Sequence, residues 1–339
     1  MDENKRLWDM IVFAPRRHVL YDGDRLNRFT PQGWYPLMII SFSSFRALLS
    51  AGLMLSAGLV LHGCAGFPAS GKNTTAQVLT PITKTPTRNY HPGKFVWHDL
   101  LTPDVAASKE FYGKLLGWTF SPKGDYTEIY NNGRKIGGIA RVAPGKSEQL
   151  PPSSWLASMS VANVDAAIKA ALARQGKVVN GPVDMPDRGR GALISDPQGA
   201  HLVLLHAKNG DPEDREPAMG DWLWNEIWTS VPDETINFYK AVGGYSQIKK
   251  GKDYAILIQE GTWRAGVRFA SGDVTVRWVP AIRVTDPRSL LPKVEALGGT
   301  VWVKPGDIPE NPDTALISDN TGALLILQRW DFTNIAEGH

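Results

Sequence analysis

Along residues 95–332 the apolar positions switch repeatedly between the two-residue period of strands and the 3.6-residue period of helices. Phe95–Leu101 predicts a strand. Thr102-Pro103-Asp104 supplies a helix cap with a first-turn proline, and Val105, Ser108, Phe111, Tyr112 and Leu115 follow at helical spacing until Gly117. Tyr126–Tyr130 and Lys135–Arg141 predict strands around Asn131-Asn132-Gly133, a strong hairpin signal, with room for a further short strand. The order then recurs. Trp155–Val161 is a strand, Asp165–Arg174 an amphipathic helix ended by Gly176, Lys177–Val179 a strand, and Ala192–Ser195 forms a hairpin with His201–His206 across Asp196–Gly199. Two more cycles follow. Trp222–Trp228, a helix from about Asp233 to Val242, Tyr254–Gln259 and Trp263–Phe269 make the first. Arg277–Val284, a helix around Leu290–Leu297, Thr300–Val303, Ala315–Ser318 and Leu324–Gln328 make the second. Pro292 lies within that last helical pattern and predicts a late start or a kink.

The cycles are related in sequence as well as in pattern. FVWHDLLTPDVAASKEFYGKLLGW at 95–118 returns as WLWNEIWTSVPDETINFYKAVGGY at 222–245. Trp97 thereby matches Trp224, Asp99 matches Glu226, and Phe111-Tyr112 matches Phe238-Tyr239. Ala192–Asp196 returns as Ala315–Asp319, and Gly199-Ala200 as Gly322-Ala323. Such long-period echoes mark a duplicated domain. They divide the chain into a first domain at 93–207, a linker at 208–219 and a second domain at 220–332, each holding two βαβββ-like units.

Composition adds a class and an exclusion. The chain has 339 residues, 42% hydrophobic and 21% charged, ordinary values for folded protein. Net charge is +3, and the first 63 residues carry seven Lys/Arg against five Asp/Glu, so the two domains are close to neutral. No basic stripe of the kind that phosphate backbones require is present, which excludes nucleic acid as an expected partner. The 12 Trp recur in the repeated strands, as core or as pocket wall.

The single cysteine, Cys64, follows Leu48–Leu61, an apolar run of 14 residues preceded by Arg46. That is a signal peptide's positive region and hydrophobic region, too short for an unaided membrane span. Leu61-His62-Gly63-Cys64 resembles the lipobox of bacterial lipoproteins, although His62 departs from the small residue usual there. The expectation is a signal peptide at 38–63, lipidation at Cys64, and a flexible tether at 64–92 rich in Thr, Pro, Ser, Gly and Lys. The protein would then sit in the bacterial envelope, anchored to a membrane by lipid. Ala65 after the cysteine is not the Asp that commonly retains lipoproteins at the inner membrane. An uncleaved anchor and an incidental free cysteine are the competing readings. Residues 1–37, charged and carrying Pro15, Arg16 and Arg17, do not fit a signal peptide. They read as a mis-assigned start, with initiation at Met38, or as an unstructured extension.

The strand, the Thr/Ser-x-Asp cap, the FY helix closing on Gly-Trp, and Asp-Pro-x-Gly before a final strand together resemble the vicinal oxygen chelate superfamily. That superfamily includes glyoxalase I, bleomycin-resistance proteins and extradiol dioxygenases. The resemblance spans residues 93–332. It implies an α+β fold of two tandem domains, each a cupped mixed sheet of paired βαβββ units. In metal-using members the ligands come from the opening strand, the first strand of the second unit and the closing strand, typically His or Gln, then His, then Glu. Carried over, those positions hold Trp97, Leu156 and Val203 in the first domain and Trp224, Val279 and Ile326 in the second. None offers the N, O or thiolate donor that a divalent metal needs, so neither a metal nor another cofactor is expected.

Side chains two apart on a strand share a face. With Trp97 facing its cup, Phe95, Asp99 and Leu101 are predicted to face it too, and likewise Trp222, Glu226 and Trp228 beside Trp224. His201, Val203 and Leu205 align with Leu324, Ile326 and Gln328, while Ser158 and Ser160 align with Ala281 and Arg283. Each cup then reads as an aromatic, apolar pocket with one carboxylate, the composition of a small-molecule site. The candidate catalytic groups are Asp99 and Glu226, expected to be desolvated with raised pKa. The competing reading makes them structural, capping amides or pairing with an arginine such as Arg283. Trp97, Ser158, His201, Trp224, Trp228, Arg283 and Gln328 are candidate ligand contacts. His98 alternates onto the opposite face and reads as a packing histidine. Asp187–Gly191, with two arginines, is either a lid for an anionic group or a solvated loop. Two functions compete: a metal-independent binder of a small aromatic or apolar molecule, and a lyase-, isomerase- or hydroxylase-like enzyme using Asp99 or Glu226 as base. A degenerate assembly domain, its cups filled by its own side chains, is the third reading.

Overall fold

The computed structural model describes residues 79–142, 153–270, 276–308 and 311–332. Cys64 and the apolar run before it lie outside the described residues, and with them the expectations for 1–37 and 38–63. Among the described residues no helix is long and apolar enough to cross a membrane.

The first domain contains β1 (Phe95–Thr102), α1 (Val105–Leu116), β2 (Thr119–Lys123), β3 (Tyr126–Asn131) and β4 (Arg134–Arg141). Its second unit contains β5 (Ser154–Ser160), α2 (Val164–Leu172), β6 (Lys177–Met185), β7 (Gly189–Ser195) and β8 (His201–Ala207). In the second domain β9 (Trp222–Thr229), α3 (Pro232–Gly243), β10 (Gln247–Lys250), β11 (Tyr254–Gln259) and β12 (Thr262–Phe269) repeat the first unit. There β13 (Arg277–Arg283), α4 (Pro287–Ala296), β14 (Thr300–Val303), β15 (Thr314–Ser318) and β16 (Leu324–Gln328) repeat the second. The α+β architecture is as expected: two eight-stranded mixed sheets, ordered β2-β3-β4-β1-β5-β8-β7-β6 and β10-β11-β12-β9-β13-β16-β15-β14. In each, the opening strands of the two units lie antiparallel at the centre, and each pairs in parallel with the closing strand of its own unit.

Three of the four helices start where the sequence supplies oxygen acceptors for orphaned amides, and α3, which follows Val231, starts on Pro232 without a side-chain cap. Asp104 accepts from the Ala107 amide, Asn163 from Ala166, and Asp286 from Arg288. Gly117 ends α1 in the left-handed region at φ 75°, where a Cβ would be strained. The late start expected at Pro292 does not occur. Helix α4 begins at Pro287, whose missing N–H costs nothing in a first turn, and Pro292 is accommodated inside it.

The two domains pack through their helical faces. Helix α1 lies against α4, and α2 against α3. Phe111, Tyr112, Leu115 and Trp155 of the first domain share a core with Ile282, Val294, Ile317 and Leu327 of the second. Met159, Ile168, Ile194 and Leu202 share another with Phe238, Tyr239, Leu257 and Val267. Equivalent residues make equivalent bonds across this interface. Tyr112 donates to Asp319 Oδ2 at 2.9 Å and accepts from Trp155 Nε1 at 3.0 Å; Tyr239 donates to Asp196 Oδ2 at 3.0 Å and accepts from Trp278 Nε1 at 3.0 Å. Trp118 Nε1 donates to the Gly220 carbonyl and Tyr245 to that of Gly93. At the centre the equivalent residues His98 and Asn225 bond each other, Nε2 to Oδ1 at 2.9 Å. His98 stacks on Trp222 with ring centroids 4.0 Å apart, the packing role read for it. Burial pulls its pKa down to about 4, against a smaller upward pull from Asn225.

The segment 79–92, expected as part of a free tether, is held down. Thr87 and Asn89 exchange main-chain bonds with Asn209 and Asp211 of the linker, Tyr90 stacks on His206, and Ile82 is buried against the first sheet.

Candidate functional site

Strand parity places most of the predicted cup residues and fails at one position in each domain. Val96 and Trp97 both join the concave cluster of the first sheet, together with Val203, Leu205 and Ala207. Phe95 instead belongs to the helix-side core, 4.7 Å from Trp278. The cause is a register shift between Phe95 and Trp97 opposite β5. One extra residue turns everything before it to the other face. The second domain carries the same shift where β9 meets β13, so Trp222 packs in the interface beside His98 and Trp155 while Trp224 faces the cup. Phe95 and Trp222 are therefore interface residues.

Each cup contains a tryptophan, a tyrosine and a carboxylate in contact. In the first, Trp97 Nε1 lies 2.9 Å from Asp99 Oδ1 and 3.2 Å from Tyr126 Oη, and Tyr126 donates to the same Asp99 oxygen. In the second, Trp224 Nε1 donates to Tyr254 Oη at 2.6 Å and Trp228 Nε1 to Glu226 Oε1 at 2.7 Å. Both tyrosines reach across a glycine: a Cβ on Gly138 would overlap the Tyr126 hydroxyl, and one on Gly266 that of Tyr254. Burial, and then the neighbouring carboxylate, holds each phenol well above its ordinary pKa.

Charge separates the two cups. Glu226, 4% exposed, is gripped by Arg268, which donates from Nε to Oε1 at 2.9 Å and from Nη2 to Oε2 at 3.2 Å. The Arg268 guanidinium also lies 5.0 Å from the Tyr254 ring centroid. Arg283, the arginine named from sequence, does not do this. It bonds Glu216, the Pro217 carbonyl and the Trp330 carbonyl, because it sits at the end of β13 where linker and C-terminal segments pass. Asp99 is half-buried and is bonded by neutral donors. The first cup's cations are Lys135 and Arg188. Arg188 is 4% exposed and lies 4.5 Å from the centroid of Trp97. Lys135 pairs with buried Glu128 at 3.1 Å. Burial alone would raise the pKa of Glu128, yet bonds from Thr80, Tyr130 and Lys135 hold it below its ordinary value.

The loop at Asp187–Gly191 thus divides its arginines. Arg188 turns into the first cup, and Arg190 pairs with Asp165 and Asp184 at the surface. Ser158 is buried beside Trp97 and Val203 in register. His201 is half-buried on β8, two residues before Val203, and burial lowers its pKa. Gln328 is buried at the end of β16, opposite Arg283 and Thr314. The structure brings together Trp97, Asp99 and Ser158 in one cup and Trp224, Glu226 and Trp228 in the other. It does not bring His201, Arg283 or Gln328 to either carboxylate. Arg268 was missed, although a sequence signal exists: it stands two residues after Gly266, where the first domain has Ala140 after Gly138. Lys135 and Glu128 meet across the predicted β3–β4 hairpin and were overlooked there, whereas their meeting with Arg188 was hidden because the loop before β7 reaches that hairpin only in three dimensions.

Three of the six family ligand positions, Trp224, Val279 and Ile326, lie in the second concave cluster, and Trp97 and Val203 lie in the first. They present indole and hydrocarbon. Among the described residues no three His, Cys, Asp or Glu side chains converge. The residues at the family's metal site do not fit a divalent cation.

Residues 94–204 match the Glyoxalase/Bleomycin resistance protein/Dioxygenase superfamily. CFP32 of Mycobacterium tuberculosis, named for a glyoxylase, is 32% identical over 252 residues, which cover 69% of this chain and 94% of CFP32. The anthracycline biosynthesis protein DauV of Streptomyces sp. is 26% identical over 259 residues, 70% of this chain and 94% of DauV. In structure, the Mn(II)-bound glyoxalase from Novosphingobium aromaticivorans superposes with a TM-score of 0.51 at 12% identity, over 71% of this chain and 83% of that one. An extradiol ring-cleaving dioxygenase from B. fuscum gives 0.51 at 13% identity, over 75% of each chain.

Proposed function

Because the chain belongs to the glyoxalase/bleomycin resistance protein/dioxygenase superfamily yet lacks the donors for that fold's metal, we propose that it is a metal-independent binding protein. Its ligand is a small aromatic or otherwise apolar molecule held in the second cup. The observation that carries this reading is the lining of that cup. Trp224, Trp228 and Trp302 stand with Val279, Leu316, Leu324 and Ile326 around a single carboxylate already neutralised by Arg268. Such a wall favours a flat apolar body, and the Glu226–Arg268 pair supplies one polar end for orientation. We further propose that Cys64 carries a lipid that tethers this module to the bacterial envelope, on the strength of the 14-residue apolar run ending at Leu61 before Gly63-Cys64.

The alternative is a lyase-, isomerase- or hydroxylase-like enzyme using Asp99 or Glu226 as base. In the second cup both Glu226 oxygens are engaged, so a substrate proton would compete with Arg268 and Trp228. Asp99 in the first cup receives two neutral donors on one oxygen.

Tryptophan fluorescence against a panel of aromatic compounds tests the binding reading. A ligand should quench wild type and bind about 5- to 150-fold more weakly to Glu226→Gln, the worth of a charged hydrogen bond in a buried site. Asp99→Asn, in the other cup, should leave that affinity unchanged. Equal loss in both variants, or turnover of the bound compound, overturns the reading. Cys64→Ser should accumulate as a precursor without diacylglycerol, and mature protein of unchanged mass in that variant would refute the tether.

A further inference from the structure

The first cup is occupied by a piece of chain that belongs to neither unit of its sheet. Ile82, 3% exposed, packs with Val96, Trp97, Leu205 and Ala207, and Met185 and Val203 lie against the same cluster. Just before it the chain is read by polar groups. Arg188 Nε donates to the Thr80 carbonyl at 2.8 Å. Lys135 Nζ donates to the Pro81 carbonyl and, at 2.8 Å, to the Thr80 hydroxyl, which itself donates to Glu128. The fit is incomplete, and besides Thr83 Oγ1 next to Ile82 one atom of the cup itself is left over. Arg188 Nη2 is buried and makes no hydrogen bond. The second cup's cluster, by contrast, is built from second-domain residues alone.

We propose that the first cup is a second ligand site, for a small carboxylate with an apolar body, and that Thr80–Ile82 is its built-in competitor. The segment already imitates such a ligand: carbonyl oxygens face the two cations and an aliphatic group fills the aromatic wall. It imitates it imperfectly. A guanidinium presents parallel donors that match the two oxygens of a carboxylate, whereas a lone peptide carbonyl satisfies only one. A carboxylate placed at the Thr80 carbonyl would bond Nε and Nη2 together, with Lys135 within reach of the same charge. Its apolar body would take the place of Ile82 over Trp97. Because the competitor is tied to the chain, the site's apparent affinity is reduced by the fraction of molecules in which the segment is docked. This inference stands apart from the second-cup reading, which concerns different residues.

The test compares full-length wild type with Ile82→Ser, using 1-naphthylacetate as probe and 1-naphthaleneethanol as its uncharged counterpart, by calorimetry. Loss of the buried isoleucine should loosen the segment and raise affinity for the carboxylate by about tenfold or more. The uncharged probe should gain clearly less. Adding Arg188→Gln should abolish the gain, Glu226→Gln should leave it intact, and a peptide of residues 79–84 should compete for the opened site. Thr80→Val, which keeps Ile82 but removes the hydroxyl between Glu128 and Lys135, should give the same gain in smaller measure and serves if Ile82→Ser does not fold. No gain in either variant overturns the proposal. So does a gain that survives Arg188→Gln, or one that vanishes in Glu226→Gln.

Discussion

The interface between the domains is nearly two-fold symmetric, whereas the cups on their outer faces are not. Across the interface Tyr112 and Tyr239, Asp319 and Asp196, and Trp155 and Trp278 exchange the same bonds at distances within 0.1 Å of each other. In the cups the shared tryptophan, tyrosine and carboxylate survive, but the cations around them differ in identity and origin. Asp99 has no arginine bonded to it where Glu226 has Arg268; Arg188 bonds a chain segment instead, and Lys135 is shared between that segment and Glu128. The repeats that stand out in the sequence are therefore mostly signatures of the seam. FY in the helix and Asp after the Ala-Leu-Ile-Ser strand must match because each side supplies the other's partner. A cup answers only to its own ligand and is free to diverge.

The sharpest way to break this comparison is to remove one arginine from each cup. Arg268→Gln strips the cation from a buried carboxylate and should destabilise the protein by roughly 3–5 kcal/mol. Arg188→Gln removes a bond to a neutral carbonyl and a stacked cation over Trp97, and should cost roughly 1–3 kcal/mol. Denaturant melts of the two variants decide it. Equal losses would mean that the cups are electrostatically alike after all.

Acid should expose a place where the seam departs from symmetry, the His98–Asn225 pair. The pKa of His98 falls from 6.5 to about 4 on burial. Between those values the unfolded chain binds a proton that the folded chain refuses. Stability is thus fully present above pH about 6.5 and is lost as pH falls toward 4, by about 3 kcal/mol in all. His98→Gln should flatten this part of the stability profile. If the wild-type profile between pH 6.5 and 4 matches that of the variant, the histidine is not excluded from protonation in the fold.

Much of this architecture was legible because period and repetition are local properties of the chain. The four βαβββ cycles, the caps at Asp104 and the helix-side role of His98 all follow from residues a few positions apart. The misplacement of Phe95 and Trp222 has one cause. Parity counts residues, and a register shift inserts one residue that the count cannot see. Arg268 was hidden for a different reason. Its partner Glu226 lies on a strand that pairs with β12 in parallel, a contact made through the crossover rather than through a turn. The docking of Thr80–Ile82 was less legible still. A stretch rich in Thr, Pro and Lys carries no period, and what fixes it is a cation pair assembled from β4 and the loop before β7.

The smallest expected effect is also the most direct measure of the symmetry. Tyr112→Phe and Tyr239→Phe each delete one hydroxyl that stands between a tryptophan N–H and a carboxylate of the opposite domain. The aromatic ring stays, so no cavity forms, and Asp319 and Asp196 keep the bonds that their Oδ1 atoms receive from main-chain amides at 2.8–3.0 Å. What is lost is one bond to a charged acceptor, with a buried indole N–H left unpaired, worth about 1–2 kcal/mol. Symmetry requires the two losses to agree within about 0.5 kcal/mol, and because the two triads share no partner, the double variant should show their sum. Urea denaturation of the three variants measures all of this. A loss in one tyrosine more than twice that in the other would mean that the matching geometry conceals unequal energetics, and that the two helices were kept alike for packing rather than for the bonds they exchange.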